Sequence, residues 1–142
     1  MALDVILAPD VYVNASVAGV GLPPERVAQK VLGARRGECK STPWILKRVA
    51  EMLTAHPDFK NDMLRQHIQT IRESVDLIDD PQEQPPDAWE QALTAAAKAA
   101  GASRVITDHP DLLAKESSGG VEFLSCEAWL LEEGTPPPPP PS

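Results

Sequence analysis

Apolar positions along the chain fall into short runs that alternate with helical stripes. Residues 4–7 (Asp-Val-Ile-Leu) form a β-branched stretch ended at Ala8-Pro9, which predicts a buried strand that stops abruptly. Val11, Tyr12 and Val13 follow, and residues 14–21 are rich in small side chains, as in a loop or short helix leaving that strand. Pro23 and Pro24 can open a helix, because the first turn has no N–H partner to lose. Val27, Val31 and Leu32 then set one apolar stripe, which Gly33 or Gly37 ends. Residues 38–40 (Glu-Cys-Lys) predict a weak second strand. Ser41 or Thr42 is placed to cap the next helix, with Pro43 at its first position. Ile45, Leu46, Val49, Met52 and Leu53 recur at helical spacing as far as His56-Pro57.

Residues 62–74 predict a further helix that turns Met63, Ile68 and Ile71 to the core, and Val75, Leu77 and Ile78 a third strand closed by Asp79-Asp80-Pro81. Residues 82–86 are polar and contain proline, as in a surface loop. Asp87 is expected to cap an alanine-rich helix that reaches Ala100, with Gly101 as its stop. Residues 104–107 predict a fourth strand, Asp108-His109-Pro110-Asp111 a turn at its carboxyl end, and Leu112-Leu113 the start of a short helix. Residues 121–124 predict the last strand and residues 126–131 the last helix. This alternation implies βα units, and so an α/β fold with a central, mainly parallel sheet covered by helices on both faces. Ligands of such sheets sit at the carboxyl ends of the strands. Residues 7–10, 78–80 and 107–111 are therefore the places to look for chemistry, and all three hold acidic residues.

Composition narrows the field. A length of 142 residues suits one domain, and a net charge of −8 disfavours broad binding to phosphate backbones. Cys39 and Cys126 lack CxxC spacing, which points away from a disulfide scaffold and toward a reducing, cytoplasmic setting. No apolar run approaches the roughly 18 residues of a spanning helix, so no membrane association is expected. The first residues lack the basic start of a secretory signal. Consecutive prolines run from Pro136 to Pro141 and favour the extended polyproline II form. The expectation is one domain over residues 1–133 and a disordered polyproline tail over 134–142, which a protein partner with an aromatic-lined groove would recognise.

Several segments, in order, resemble PIN domains. Val5-Ile6-Leu7-Ala8-Pro9-Asp10-Val11-Tyr12-Val13-Asn14-Ala15 is similar to the family's opening, where a strand runs into Asp-Thr-Asn-Val. Ser41-Thr42-Pro43-Trp44-Ile45-Leu46-Lys47-Arg48 resembles its Ser-x-Pro motif leading a glutamate-bearing helix. Ala100-Gly101-Ala102-Ser103-Arg104-Val105-Ile106-Thr107-Asp108-His109-Pro110-Asp111-Leu112-Leu113 is similar to Ala-Gly-Ala-x-x-x-Val-Thr-Gly-Asp-x-Asp-Leu-Leu, and Gly119-Gly120-Val121-Glu122-Phe123-Leu124 to the closing strand. The matches span residues 3–131. The resemblance implies a three-layer α/β/α fold. In active members it also implies an endoribonuclease, often the toxin of a toxin–antitoxin pair, whose converging carboxylates hold Mg²⁺ or Mn²⁺.

Carried across residue by residue, the family's first aspartate falls on Ala8, which has no ligand atom, and its asparagine on Asp10. The helix glutamate falls on Lys47 or Arg48, depending on a one-residue register choice. The third acidic position lies near Gln91, with Glu90 and Asp87 as neighbours, while the Gly-Asp-x-Asp turn puts His109 on its first aspartate and Asp111 on its second. A fixed cation a few ångströms from a divalent ion costs on the order of several kcal/mol at an effective dielectric near 20. The resemblance thus implies a degenerate, metal-free, cofactor-free pocket around Asp10, Arg48, Asp87, His109 and Asp111. Asp10 and Asp111 would be neutralised there by Arg48 or His109. Such a domain would bind a protein partner or RNA. The alternative is an active Mg²⁺- or Mn²⁺-dependent endoribonuclease built on Asp10, Asp87 or Glu90, Asp108 and Asp111. Related domains commonly pair, so a homodimer is a further expectation.

Plainer readings stand beside these. Asp10 next to Pro9 is equally a turn former, and Asp108, His109 and Asp111 around Pro110 equally fit a turn and helix cap. Lys47-Arg48 reads as a solvated helix face, and His56 and His67 as surface residues. Trp44, Trp89 and Trp129, on three helices, are expected to bury area in the core or an interface rather than stack a base. The chain has no glycine-rich phosphate loop, nucleophile elbow or zinc spacing.

Overall fold

The computed structural model describes residues 4–17, 21–33, 37–56, 61–80 and 88–132. In chain order they form β1 (Val5–Leu7), α1 (Pro9–Val17), α2 (Pro23–Ala28) running on as a π-helical turn (Gln29–Gly33), and β2 (Lys40–Ser41). Then come α3 (Pro43–Thr54), α4 (Asn61–Ser74), β3 (Asp76–Leu77), α5 (Trp89–Ala100), β4 (Arg104–Ile106), α6 (Pro110–Lys115), β5 (Ser117–Ser118), β6 (Val121–Leu124) and α7 (Cys126–Glu132).

The centre is parallel. β4 lies between β1 and β6, with Val105 opposite both Ile6 and Phe123. All three residues of β1 are buried, as befits a strand covered on both faces. β5 adds a short antiparallel edge beyond β6, and β2 pairs in parallel with β3 while lying beside β1. The fold is therefore mixed α/β with a mostly parallel central sheet, compatible with three layers. The chain leaves β1 toward β2 on one side and leaves β4 toward β6 on the other. The strand order thus reverses between β1 and β4, and the crevice of such a sheet belongs at the carboxyl ends of these two strands.

Single residues set several boundaries. Thr42 Oγ1 accepts the Ile45 N–H at 3.3 Å with Pro43 at the first helical position, so α3 starts as its sequence predicts. Gly101 ends α5 in the left-handed region at φ 73°, which a Cβ would strain. The buried face of α5 is Ala92, Leu93, Ala96 and Ala97, and these mostly small side chains let the helix lie against β1, β4 and β6. A single connected core runs from Val5 to Leu130.

Other segments differ from expectation. Of the loop or short helix expected over residues 14–21, residues 14–17 are helical, but the helix already starts at Pro9, with every residue from 9 to 13 buried. A helical turn buried all round has no apolar–polar period to read. The second strand is shifted to Lys40–Ser41, and the third shrinks to Asp76–Leu77, both exposed, because it pairs only with β2. Met63 is not in the core but 53% exposed. The inward stripe of α4 is Leu64, Ile68 and Ile71, one residue out of phase with Met63. His56 and His67 are half-buried rather than on the surface. The helix start at α5 is capped at Ala88 without a side-chain bond, while Asp87, the loop at 82–86 and the tail from 134 lie outside the described residues. Among the described residues no helix is long and apolar enough to cross a membrane.

Candidate functional site

Backbone pairing draws three strand ends together. The Ala8 N–H donates to the Ile106 carbonyl at 3.0 Å, and the Thr107 N–H to the Leu124 carbonyl at 2.9 Å. Since α1 begins at Pro9, Asp10 sits in its first turn and faces the residues that follow β4. Asp10 is buried, 8% exposed. Oδ1 accepts the Thr107 hydroxyl at 2.9 Å and Oδ2 accepts the Asp108 N–H at 2.7 Å. Thr107 Oγ1 in turn accepts the His109 N–H at 3.1 Å. Asp108 Oδ1 accepts the Cys126 N–H at 3.1 Å and so holds the first residue of α7. Asp80, at the end of β3, does the same for α3 by accepting the Trp44 N–H at 3.2 Å. Asp10, Asp80 and Asp108 are each tied to a backbone donor.

Burial raises the Asp10 pKa from its ordinary value, against the opposing pull of the two hydrogen bonds, and the neighbouring Asp108 charge adds to the rise. Beneath them, burial first and Asp108 second push the Cys126 thiol up, so it stays protonated. On the other side of β1, burial likewise raises the Tyr12 phenol, and it raises the Cys39 thiol to about 12.

Among the described residues no cation enters this network. The sequence reading pairs Asp10 and Asp111 with Arg48 or His109; instead Asp10 is satisfied by uncharged donors, and Arg48 pairs with Glu51 one turn along its own helix. A partner on the same helix is reached with little loss of side-chain freedom. His109 caps α6, its Nδ1 accepting the Asp111 N–H at 3.2 Å, while the Asp111 side chain is exposed. Arg48 lies one turn beyond Trp44 on the same face of α3, whereas exposed Lys47 faces a concavity shared with Ile68, Arg72 and Leu77. Glu90 pairs with Lys115 at 2.9 Å, and Gln91 is exposed. Asp87 is outside the described residues.

Aromatic rings border the crevice. Trp89 meets Trp44 edge-on, with centroids 6.0 Å apart, and tilts over His109 at 5.3 Å. Trp44 and Trp129 are buried and Trp89 half-buried. Two of the candidate carboxylates, Asp10 and Asp108, thus come together, with Thr107, which lies in the strand end singled out from sequence, and Cys126, whose thiol the sequence reading weighs only for disulfide spacing, as neighbours. Among the described residues no three of His, Cys, Asp and Glu converge in a way that could hold a metal. Ala8 offers no oxygen from its side chain, and the two carboxylates already accept three protein hydrogen bonds. Comparison of the chain with protein-family models and with curated proteins finds no match.

Proposed function

We propose that this chain is a PIN-like domain, derived from a toxin-type ribonuclease, whose degenerate crevice serves a module that binds a protein partner instead of cutting RNA. The reversal of strand order between β1 and β4 and the motif resemblances over residues 3–131 support the family reading. The observation that carries the loss of catalysis is the state of Asp10. It is buried beside side-chain-poor Ala8, with one oxygen committed to Thr107 and the other to the Asp108 backbone. An internal brace of this kind holds α1, the β4 end and α7 in fixed relation, which is what a rigid recognition domain requires. A formal charge of −8 favours a protein over RNA as the partner, and the prolines from Pro136 to Pro141 supply a peptide that aromatic grooves recognise.

The test has two arms. The purified full chain is incubated with single-stranded RNA and Mn²⁺ or Mg²⁺, and no cleavage above a metal-only control is expected. The chain is also titrated with an SH3 or WW domain, and replacing Pro138 and Pro139 with alanine is expected to weaken binding. Metal-dependent cleavage that disappears in Asp10→Asn overturns the reading in favour of an active endoribonuclease. Tight RNA binding without cleavage replaces the protein partner with RNA.

A further inference from the structure

A second concavity lies away from the crevice, between α1, α2 with its π turn, and α4. Its volume is about 220 Å³. An apolar cavity of roughly 150 Å³ suffices for benzene. The walls are mostly apolar: the Tyr12 ring, Ala15, Ala28, Leu32 and Ile71. The π turn supplies Leu32, and such turns recur at functional sites.

The hydroxyls of the lining have one chemical character. Ser16 Oγ donates to the Tyr12 carbonyl at 2.8 Å, and Ser74 Oγ donates to the Thr70 carbonyl at 2.8 Å. Thr70 Oγ1 donates to the Gln66 carbonyl at 3.0 Å. Each hydroxyl has therefore spent its only proton on its own helix and keeps its lone pairs. His67 Nε2 lies in hydrogen-bond contact with Ser16 Oγ, across the gap between α1 and α4. When the Ser16 proton is on the Tyr12 carbonyl, as in the 2.8 Å bond, its oxygen can accept from the Nε2–H tautomer of His67. What the lining offers a ligand is hydroxyl oxygen as acceptor.

The cavity also has an entrance. Ser16, His67 and Thr70 belong both to it and to a shallower surface depression that adds Met63 and Gln66. Met63, His67, Thr70 and Ser74 follow one another along a single stripe of α4, which accounts for the exposed apolar Met63 at the rim. Methionine is a flexible, adaptable contact at such a mouth.

We propose that this cavity binds a small apolar molecule of one or two rings that carries a single N–H or O–H donor. The probe is indole, titrated into the full-length protein and followed by ¹H–¹⁵N NMR, with N-methylindole as the ligand of the same shape without the donor. Indole should give saturable shifts at the amides of Ala15, Ser16, Leu32, Thr70 and Ile71, and N-methylindole should bind about tenfold more weakly. Ala28→Leu, which fills the cavity, should abolish both while keeping the native spectrum; Ala15→Leu fills it from another wall should the first variant misfold. The absence of saturable shifts at millimolar indole overturns the proposal, as do shifts centred on Trp89 and His109 or unchanged binding to a filled, folded variant. Equal affinity for the two probes overturns the assignment of a donor-bearing ligand.

Discussion

Asp10 and Asp108, 98 residues apart in sequence, are joined by the 2.7 Å bond from the Asp108 N–H to the Asp10 carboxylate, and Asp108 passes the link on to the first N–H of α7. Two like charges are thus neighbours in the crevice because each one's carboxylate is occupied by backbone.

Removing the Asp10 carboxylate should expose how much depends on it. Asp10→Ala leaves the Thr107 hydroxyl and the Asp108 N–H buried without an acceptor, at about 1–3 kcal/mol for each group. Asp10→Asn keeps an acceptor oxygen and should cost less. Urea unfolding of both variants measures the gap, and equal stabilities would refute the bracing role.

The same residue sets a pH signature. Its folded pKa is raised above that of the unfolded chain, so between the two values the native state binds more protons than the unfolded one. Its contribution is then fully present at low pH and is lost as pH rises through the folded pKa. The difference in stability between the wild type and Asp10→Asn should shift in favour of the wild type on acidification from pH 7 to pH 3. A melting-temperature series for the pair reads this directly, because the other carboxylates are common to both proteins.

Placing a carboxylate at the end of β1 should harm the fold. Ala8 is fully buried, and Ala8→Asp would place a charge with no partner beside Asp10 and Asp108. A cost of about 3–5 kcal/mol is expected, as when a buried charge is left uncompensated. Chemical denaturation measures it.

At the entry to α3, Thr42→Ala should cost about 1 kcal/mol by freeing the Ile45 N–H. Thr42→Ser, which retains the cap, should restore most of the loss in the same unfolding assay.

What could be read from sequence follows from how local the deciding interaction is. Thr42-Pro43 and Gly101 are legible because one residue's own chemistry starts or stops a helix. The parallel sheet is legible because its strands alternate with helices. The first turns of α1 are hidden, since a helix buried on every side shows no period. The location of Asp10 follows from the rule that ligands gather at strand ends, but its partners do not: Thr107 is 97 residues away and looks in sequence like one more strand residue. The Ser16–His67 contact, across 51 residues, is hidden for the same reason.

The described strands farthest from the centre, β3 on one flank and β5 on the other, are each two residues long. Ladders that brief offer an incoming backbone too few free N–H and C=O groups to template a new strand, which guards the protein against edge-to-edge aggregation. Among the described residues the flanks of the sheet thus hold little backbone for a neighbour to copy, so substitutions on the helix faces can alter the surface without disturbing the ladders.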